Sequence, residues 1–103
     1  MAGELAGTVT FLLTDIVGST QLWEQDAAAM AAAMVVHDRV IDDAVVRCGG
    51  TVVRPRGEGD SRFAVFGRAS DAAAAAVGVI AGLKGATWAT AEPIRVRAGL
   101  HTG

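Results

Sequence analysis

Phe11-Leu12-Leu13-Thr14-Asp15-Ile16-Val17-Gly18-Ser19-Thr20 is the stretch that sets the architecture. Its first half belongs to the β-branched and aromatic run Gly7 to Thr14, which reads as a buried strand. That strand is expected to stop at Asp15. Gly18-Ser19-Thr20 then supplies a turn and an N-cap hydroxyl. Gln21-Leu22-Trp23-Glu24 starts a helix with acidic charge in its first turns.

Outward from this corner the pattern stays regular. From Asp26 the chain is alanine-rich. Met30, Met34, His37, Ile41, Ala44 and Cys48 recur at three- and four-residue steps, one stripe of a second helix that Gly49-Gly50 ends after the basic Arg47. Thr51-Val52-Val53 and Arg62 to Phe66 are two short strands, joined into a hairpin by the turn-forming, charged connection from Arg54 to Ser61. Ser70 and Asp71 precede a helix over Ala72 to Leu83, with Val77, Ile80, Ala81 and Lys84 marking a partly apolar face and Gly85 closing it. Ile94 to Leu100 alternates as a half-buried strand does. The order β-α-α-β-β-α-β predicts an α+β sandwich of the ferredoxin-like kind, with helices on one face of the sheet. The alanine clusters read as tight helix packing, and no internal repeat or linker is apparent.

At 103 residues, 51% apolar and 19% charged, the chain has room for one small domain, read as spanning 1–103. Small domains bury a smaller fraction of their surface, so oligomerisation is expected. A net charge of −2 lacks the basic stripe that a nucleic-acid backbone requires, and no nucleic-acid partner is expected. The single cysteine, Cys48, has no partner for a disulfide or a zinc cluster and reads as a small apolar side chain in a reducing compartment. The start of the chain has no signal-peptide pattern, and no apolar run reaches membrane-spanning length. A cytoplasmic protein with no membrane contact is the expectation.

Chemistry concentrates at two places. Thr14 to Thr20 sets a carboxylate at a strand end against small residues at a helix start. Magnesium takes oxygen ligands and keeps sites for substrate phosphates, and free helix N–H groups hold phosphate oxygens, so this corner suits a metal–triphosphate complex. Taken alone, an Asp before a turn is more often a helix cap. Asp60, in Gly59-Asp60-Ser61 at the hairpin tip, is the second candidate. A hairpin beside the end of the first strand can bring Asp60 toward Asp15, and two close carboxylates call for a cation or a proton. A solvated charged turn explains Asp60 equally well on local grounds.

Together these segments resemble the class III adenylate and guanylate cyclase family, in which a first strand carrying F-x-x-T-D-I-x-G-S/F-T is followed by a hairpin carrying G-D. The matching blocks run from Phe11 to Thr20, His37-Asp38, Gly49 to Val53, Gly59 to Phe66 and Arg95 to Gly103. They cover nearly the whole chain, and the Arg56-Gly57-Glu58-Gly59-Asp60-Ser61 form of the hairpin resembles cyclase-like domains found in some actinobacterial multidomain regulators. The resemblance implies that Asp15 and Asp60 are carboxylate ligands of two ions, Mg²⁺ or Mn²⁺, with the Ile16 carbonyl as a further ligand. Gly18, Ser19 and Thr20 would face the triphosphate. It implies conversion of ATP, or alternatively GTP, to the cyclic nucleotide and pyrophosphate by two-metal catalysis in cyclic nucleotide signalling.

Arg56 stands where adenylate cyclases usually have a base-reading lysine and is the candidate for base selection. Ser61 and Arg62 also depart from the common pattern. The family's second base-selecting residue and its transition-state Asn and Arg would follow the strand that ends this sequence, and the family contributes them across a head-to-tail homodimer. The expectation is therefore the metal- and phosphate-binding half of a cyclase domain, paired as a homodimer or with another cyclase domain, and inactive by itself. A catalytically silent nucleotide- or partner-binding module of a signalling regulator is the alternative. A plain ferredoxin-like interaction domain leaves the block-by-block match unexplained.

Overall fold

The computed structural model describes residues 8–53 and 60–103. The elements are β1 (Thr10–Ile16), α1 (Ser19–Gln25), α2 (Ala27–Arg47), β2 (Thr51–Val53), β3 (Arg62–Phe66), α3 (Ala69–Gly85) and β4 (Val96–Thr102). The strands form one antiparallel sheet in the order β2-β3-β1-β4, the arrangement expected of a ferredoxin-like sandwich. Arg56 and the rest of the predicted hairpin tip, 54–59, lie outside the described residues, as does the predicted strand start at Gly7. Pairing of β2 with β3, from Thr51↔Val65 to Val53↔Phe63, establishes the hairpin all the same.

Period-2 burial makes one face of β1 the core face: Thr10, Leu12, Thr14 and Ile16 are buried. Leu12, Ala64 and Phe66 of the sheet pack there against Ile41, Ala44 and Val45 of α2 and Ala72, Ala75, Val79 and Leu83 of α3. A second cluster, Ile16, Leu22, Met30, Ala33 and Ile94, fastens α1 and the start of α2 to the end of β1. On the opposite face Phe11 stacks on Phe63 with ring centroids 5.2 Å apart. Asp26 caps α2, its carboxylate accepting from the Ala29 backbone N–H at 3.0 Å. At the other end Gly49 leaves the helix at φ +80°, a left-handed residue that glycine adopts without a Cβ clash. Cys48 sits at this end, partly buried against the core, as read from the sequence. Among the described residues no helix is long and apolar enough to cross a membrane.

Four local expectations need correction. β1 does not stop at Asp15 but runs through Ile16, because β4 pairs with it as far as Ile16↔Val96. Helix α1 takes its N-cap from Gly18, in the left-handed region at φ 68°, with no side-chain cap, and its first turn carries no acid; Ser19 is already helical. On α3 the packed face is Ala72, Ala75, Val79 and Leu83, whereas Val77 and Ile80 are exposed. That helix is small and apolar nearly all round, so periodicity alone does not choose the face. Close approach to α2 does: a Cβ at Gly82 would lie 2.7 Å from Val40 Cγ1. Finally, β4 begins at Val96, and every residue of it after Val96 is exposed, because it is an edge strand that the helices cover only at its start. Ile94 is buried, but in the segment before the strand.

Candidate functional site

The site is the corner where β1 turns into α1. The Val17 N–H donates to the Arg95 carbonyl at 2.8 Å, which holds the chain against the β4 side just as it leaves the sheet. Gly18 then reverses direction through its positive φ, and the Leu22 N–H closes the first helical turn on the Gly18 carbonyl at 3.1 Å. Leu22, 8% exposed, anchors the seven-residue α1 in the second core cluster. So short a helix takes its orientation from such packing rather than from its own propensity.

An open hollow of about 510 Å³ lies outside this corner. Asp15, Ile16, Gly18, Ser19 and Thr20 line it, together with Gln21 and Arg97. Five residues named from the sequence are thus gathered around one space. Asp60 is not part of this lining but reaches the same corner through Ser19, whose hydroxyl donates to Asp60 Oδ2. The Trp23 indole N–H donates to Asp60 Oδ1 at 3.4 Å. The β1–β3 ladder runs as far as Thr14↔Arg62, and Asp60 lies two residues before that last paired residue of β3.

Two contacts had not been anticipated. The Arg97 guanidinium donates to Asp15 Oδ2 at 3.1 Å, and both side chains are largely exposed, so solvent screens the pair and leaves it readily exchangeable. The alternation of Arg95 and Arg97 is visible in the sequence, but only the pairing of β4 with β1 sets Arg97 opposite Asp15. The second is Trp23, four residues after Ser19 and therefore on the same side of α1. Behind the site, Arg62, two residues from Asp60, is buried and donates to Asp42 of α2, with Asp38 3.9 Å away. Asp38 also bonds Nδ1 of the fully buried His37 at 2.9 Å. The base of the hairpin is thereby tied to the long helix. Among the described residues no three His, Cys, Asp or Glu side chains converge as a metal cluster, so any cation here must complete its shell with backbone, ligand or solvent oxygens.

Sheet order, helix placement and this corner define one class: over the residues it spans, the chain has the fold of the class III adenylate/guanylate cyclase catalytic domain. It superposes on the guanylate cyclase domain of RhGC from Catenaria anguillulae, solved with GTP, with a TM-score of 0.81 at 26% identity, covering 93% of this chain and 56% of that one. An adenylate cyclase of Trypanosoma brucei, solved as a monomer, gives a TM-score of 0.85 at 23% identity, covering 94% and 57%. A dimeric guanylyl cyclase domain of the RhoGC fusion protein from Blastocladiella emersonii gives 0.80 at 26%, covering 93% and 57%.

In sequence, the chain is 43% identical over 97 residues to the uncharacterised protein Rv0891c of Mycobacterium tuberculosis, covering 94% of this chain and 32% of that protein. It is 35% identical over 95 residues to a second uncharacterised protein of the same organism, Rv1359, covering 92% and 35%. The chain therefore spans about a third of the length of these relatives. No family model matches it.

Proposed function

We propose that these residues form the metal- and phosphate-binding half of a class III cyclase site, one that converts ATP, with GTP as the alternative substrate, to the cyclic nucleotide and pyrophosphate. The observation that carries this reading is the gathering of Asp15, Ile16 and Ser19 around one hollow at the β1–α1 corner of a cyclase fold, with the Ser19 hydroxyl bound to Asp60. The donor set fits hard divalent cations: carboxylates and a carbonyl are the oxygens that Mg²⁺ and Mn²⁺ prefer, and one or two carboxylates leave room for phosphate oxygens. Bound there, the ions would lower the pKa of the attacking hydroxyl and neutralise the leaving pyrophosphate.

Within this reading each residue has a defined task. Asp15 and Asp60 hold the cations. Ile16 contributes its carbonyl, and Gly18, Ser19 and Thr20 face the phosphates. Arg97 occupies the cation position at Asp15 and, being exposed, can exchange that carboxylate for the triphosphate at the rim of the same hollow. Arg56 remains the candidate for reading the base. Pairing with a second cyclase domain, as a homodimer or a heterodimer, supplies the remaining groups, and a signalling role inside the cell follows from the reaction.

A second reading, a silent nucleotide- or partner-binding module, draws on one specific observation. Both carboxylates already have protein donors, Asp15 from Arg97 and Asp60 from Ser19 and Trp23. Thermal unfolding tests whether the two aspartates nevertheless hold a cation with the nucleotide. A ligand that binds only the folded chain raises its stability by about 2.7 kcal/mol at a hundred times its Kd. Mn²⁺ with ATP is expected to raise the Tm of the wild type, and Asp15→Ala and Asp60→Ala are each expected to abolish that rise. Equal shifts in all three proteins would remove both aspartates from the ligand set.

A further inference from the structure

Asp60 sits two residues before β3, yet its carboxylate is held by α1. The Ser19 hydroxyl donates to one oxygen and the Trp23 indole N–H to the other, at 3.4 Å. Positions 19 and 23 are one helical turn apart, so a single side of α1 presents both donors. Leu22, between them in sequence, fixes α1 against Ile16 and Ile94, which makes the position of the two donors depend on the end of the strand that carries Asp15.

We propose that Ser19 and Trp23 form a clasp that positions the Asp60 carboxylate for cation binding, with Trp23 as its optical reporter. The proposal rests on the metal reading given above and adds two positioning residues to it. An ionised carboxylate has about four acceptor sites, so one donor on each oxygen leaves each oxygen able to meet a cation. Ordering the carboxylate before the cation arrives removes part of the cost of ordering it on binding. Carboxylates that ligate metals are commonly held by such hydrogen bonds, and losing one outer partner typically weakens metal binding about 10- to 100-fold. Indole nitrogen can only donate, so Trp23 has no way to become a ligand itself. Its ring is partly exposed, at 37%, and a change in charge at its hydrogen-bond partner alters its surroundings directly.

The test is titration of the 103-residue chain with Mn²⁺ alone, following free Mn²⁺ by electron paramagnetic resonance, alongside Trp fluorescence during titration with Mg²⁺. Circular dichroism confirms that each variant is folded. Wild type is expected to bind Mn²⁺ saturably and to change its emission with Mg²⁺. Trp23→Phe and Ser19→Ala are each expected to bind about tenfold more weakly. The emission change should vanish in Trp23→Phe, where Trp88 is the remaining indole, and Ser19→Thr, which keeps the hydroxyl, should restore the affinity that Ser19→Ala loses. Unchanged affinity in Trp23→Phe and Ser19→Ala, with wild type binding normally, overturns the clasp and leaves the metal reading standing. Absence of saturable binding by wild type overturns the metal reading and the clasp with it.

Discussion

A polypeptide of these 103 residues, incubated with Mn²⁺ or Mg²⁺ and ATP, is expected to release no cyclic AMP above background. It is expected to regain turnover when mixed with a complete cyclase domain whose own metal aspartates have been replaced. The reasoning is a division of labour. The chain covers 56% of the GTP-bound cyclase domain it superposes on, and the resemblance puts the transition-state Asn and Arg in the part of the domain these residues do not include. An arginine that acts only in the transition state of phosphoryl transfer is commonly worth about 10³-fold or more. Each heterodimer should then form one composite site, with Asp15 and Asp60 from this chain and the Asn and Arg from its partner. The physical obstacle is the edge strand β4, whose unpaired backbone and 48%-exposed Leu100 invite association with the wrong partner. Cyclic AMP is quantified for the chain alone, the partner alone and the mixture. Clear activity from the chain alone would contradict the division of labour, and a confirmed, soluble but inactive heterodimer would contradict the composite site.

Phe66→Ala is expected to destabilise the fold by about 3–5 kcal/mol. Phe66 is 1% exposed, at the end of β3, where the sheet meets both long helices. Its ring also leaves no room at Gly50, where a Cβ would stand 2.4 Å from Cε2. Removing the ring leaves a cavity that the surrounding helices cannot fill without leaving the sheet. A loss of that size is a large part of the ~5–15 kcal/mol that holds a typical domain folded. Val77→Ala on the exposed side of α3 is expected to fall within about 0.5 kcal/mol of wild type. Urea denaturation of the three proteins decides the matter. Comparable losses for Val77→Ala and Phe66→Ala would mean that α3 packs through its other face.

Much of the fold was legible because its local signals agree. Gly49-Gly50 stops a long helix, β-branched runs are bounded by turn formers, and Asp26 stands before an alanine-rich stretch that it caps. Details failed where one signal was degenerate. Alanine around most of α3 hides which side packs, and alternation in β4 reports strand geometry without reporting that the strand lies at an edge. A hydroxyl from the Gly18-Ser19-Thr20 segment is the expected helix cap, but the Ser19 hydroxyl does not cap α1. Its actual partner, Asp60, is 41 residues away, and only the β1–β3 register brings the two together. The gathering of Asp15 to Thr20 at one corner was readable from the strand-turn-helix pattern. The Arg97 contact to Asp15 depends on pairing across 82 residues and emerges only once β4 is placed beside β1.

The proposed role of Asp15 and Asp60 is to hold divalent cations at the β1–α1 corner. Its most direct test is a crystal structure of the chain with Mn²⁺ and a non-hydrolysable ATP analogue, with manganese located by anomalous scattering. Manganese is expected at about 2.1 Å from carboxylate oxygens of Asp15 and Asp60, with the Ile16 carbonyl completing the protein ligands and Arg97 turned from Asp15 toward the triphosphate. Manganese bound to the nucleotide but away from both aspartates, with the Arg97–Asp15 and Ser19–Asp60 contacts intact, would contradict it.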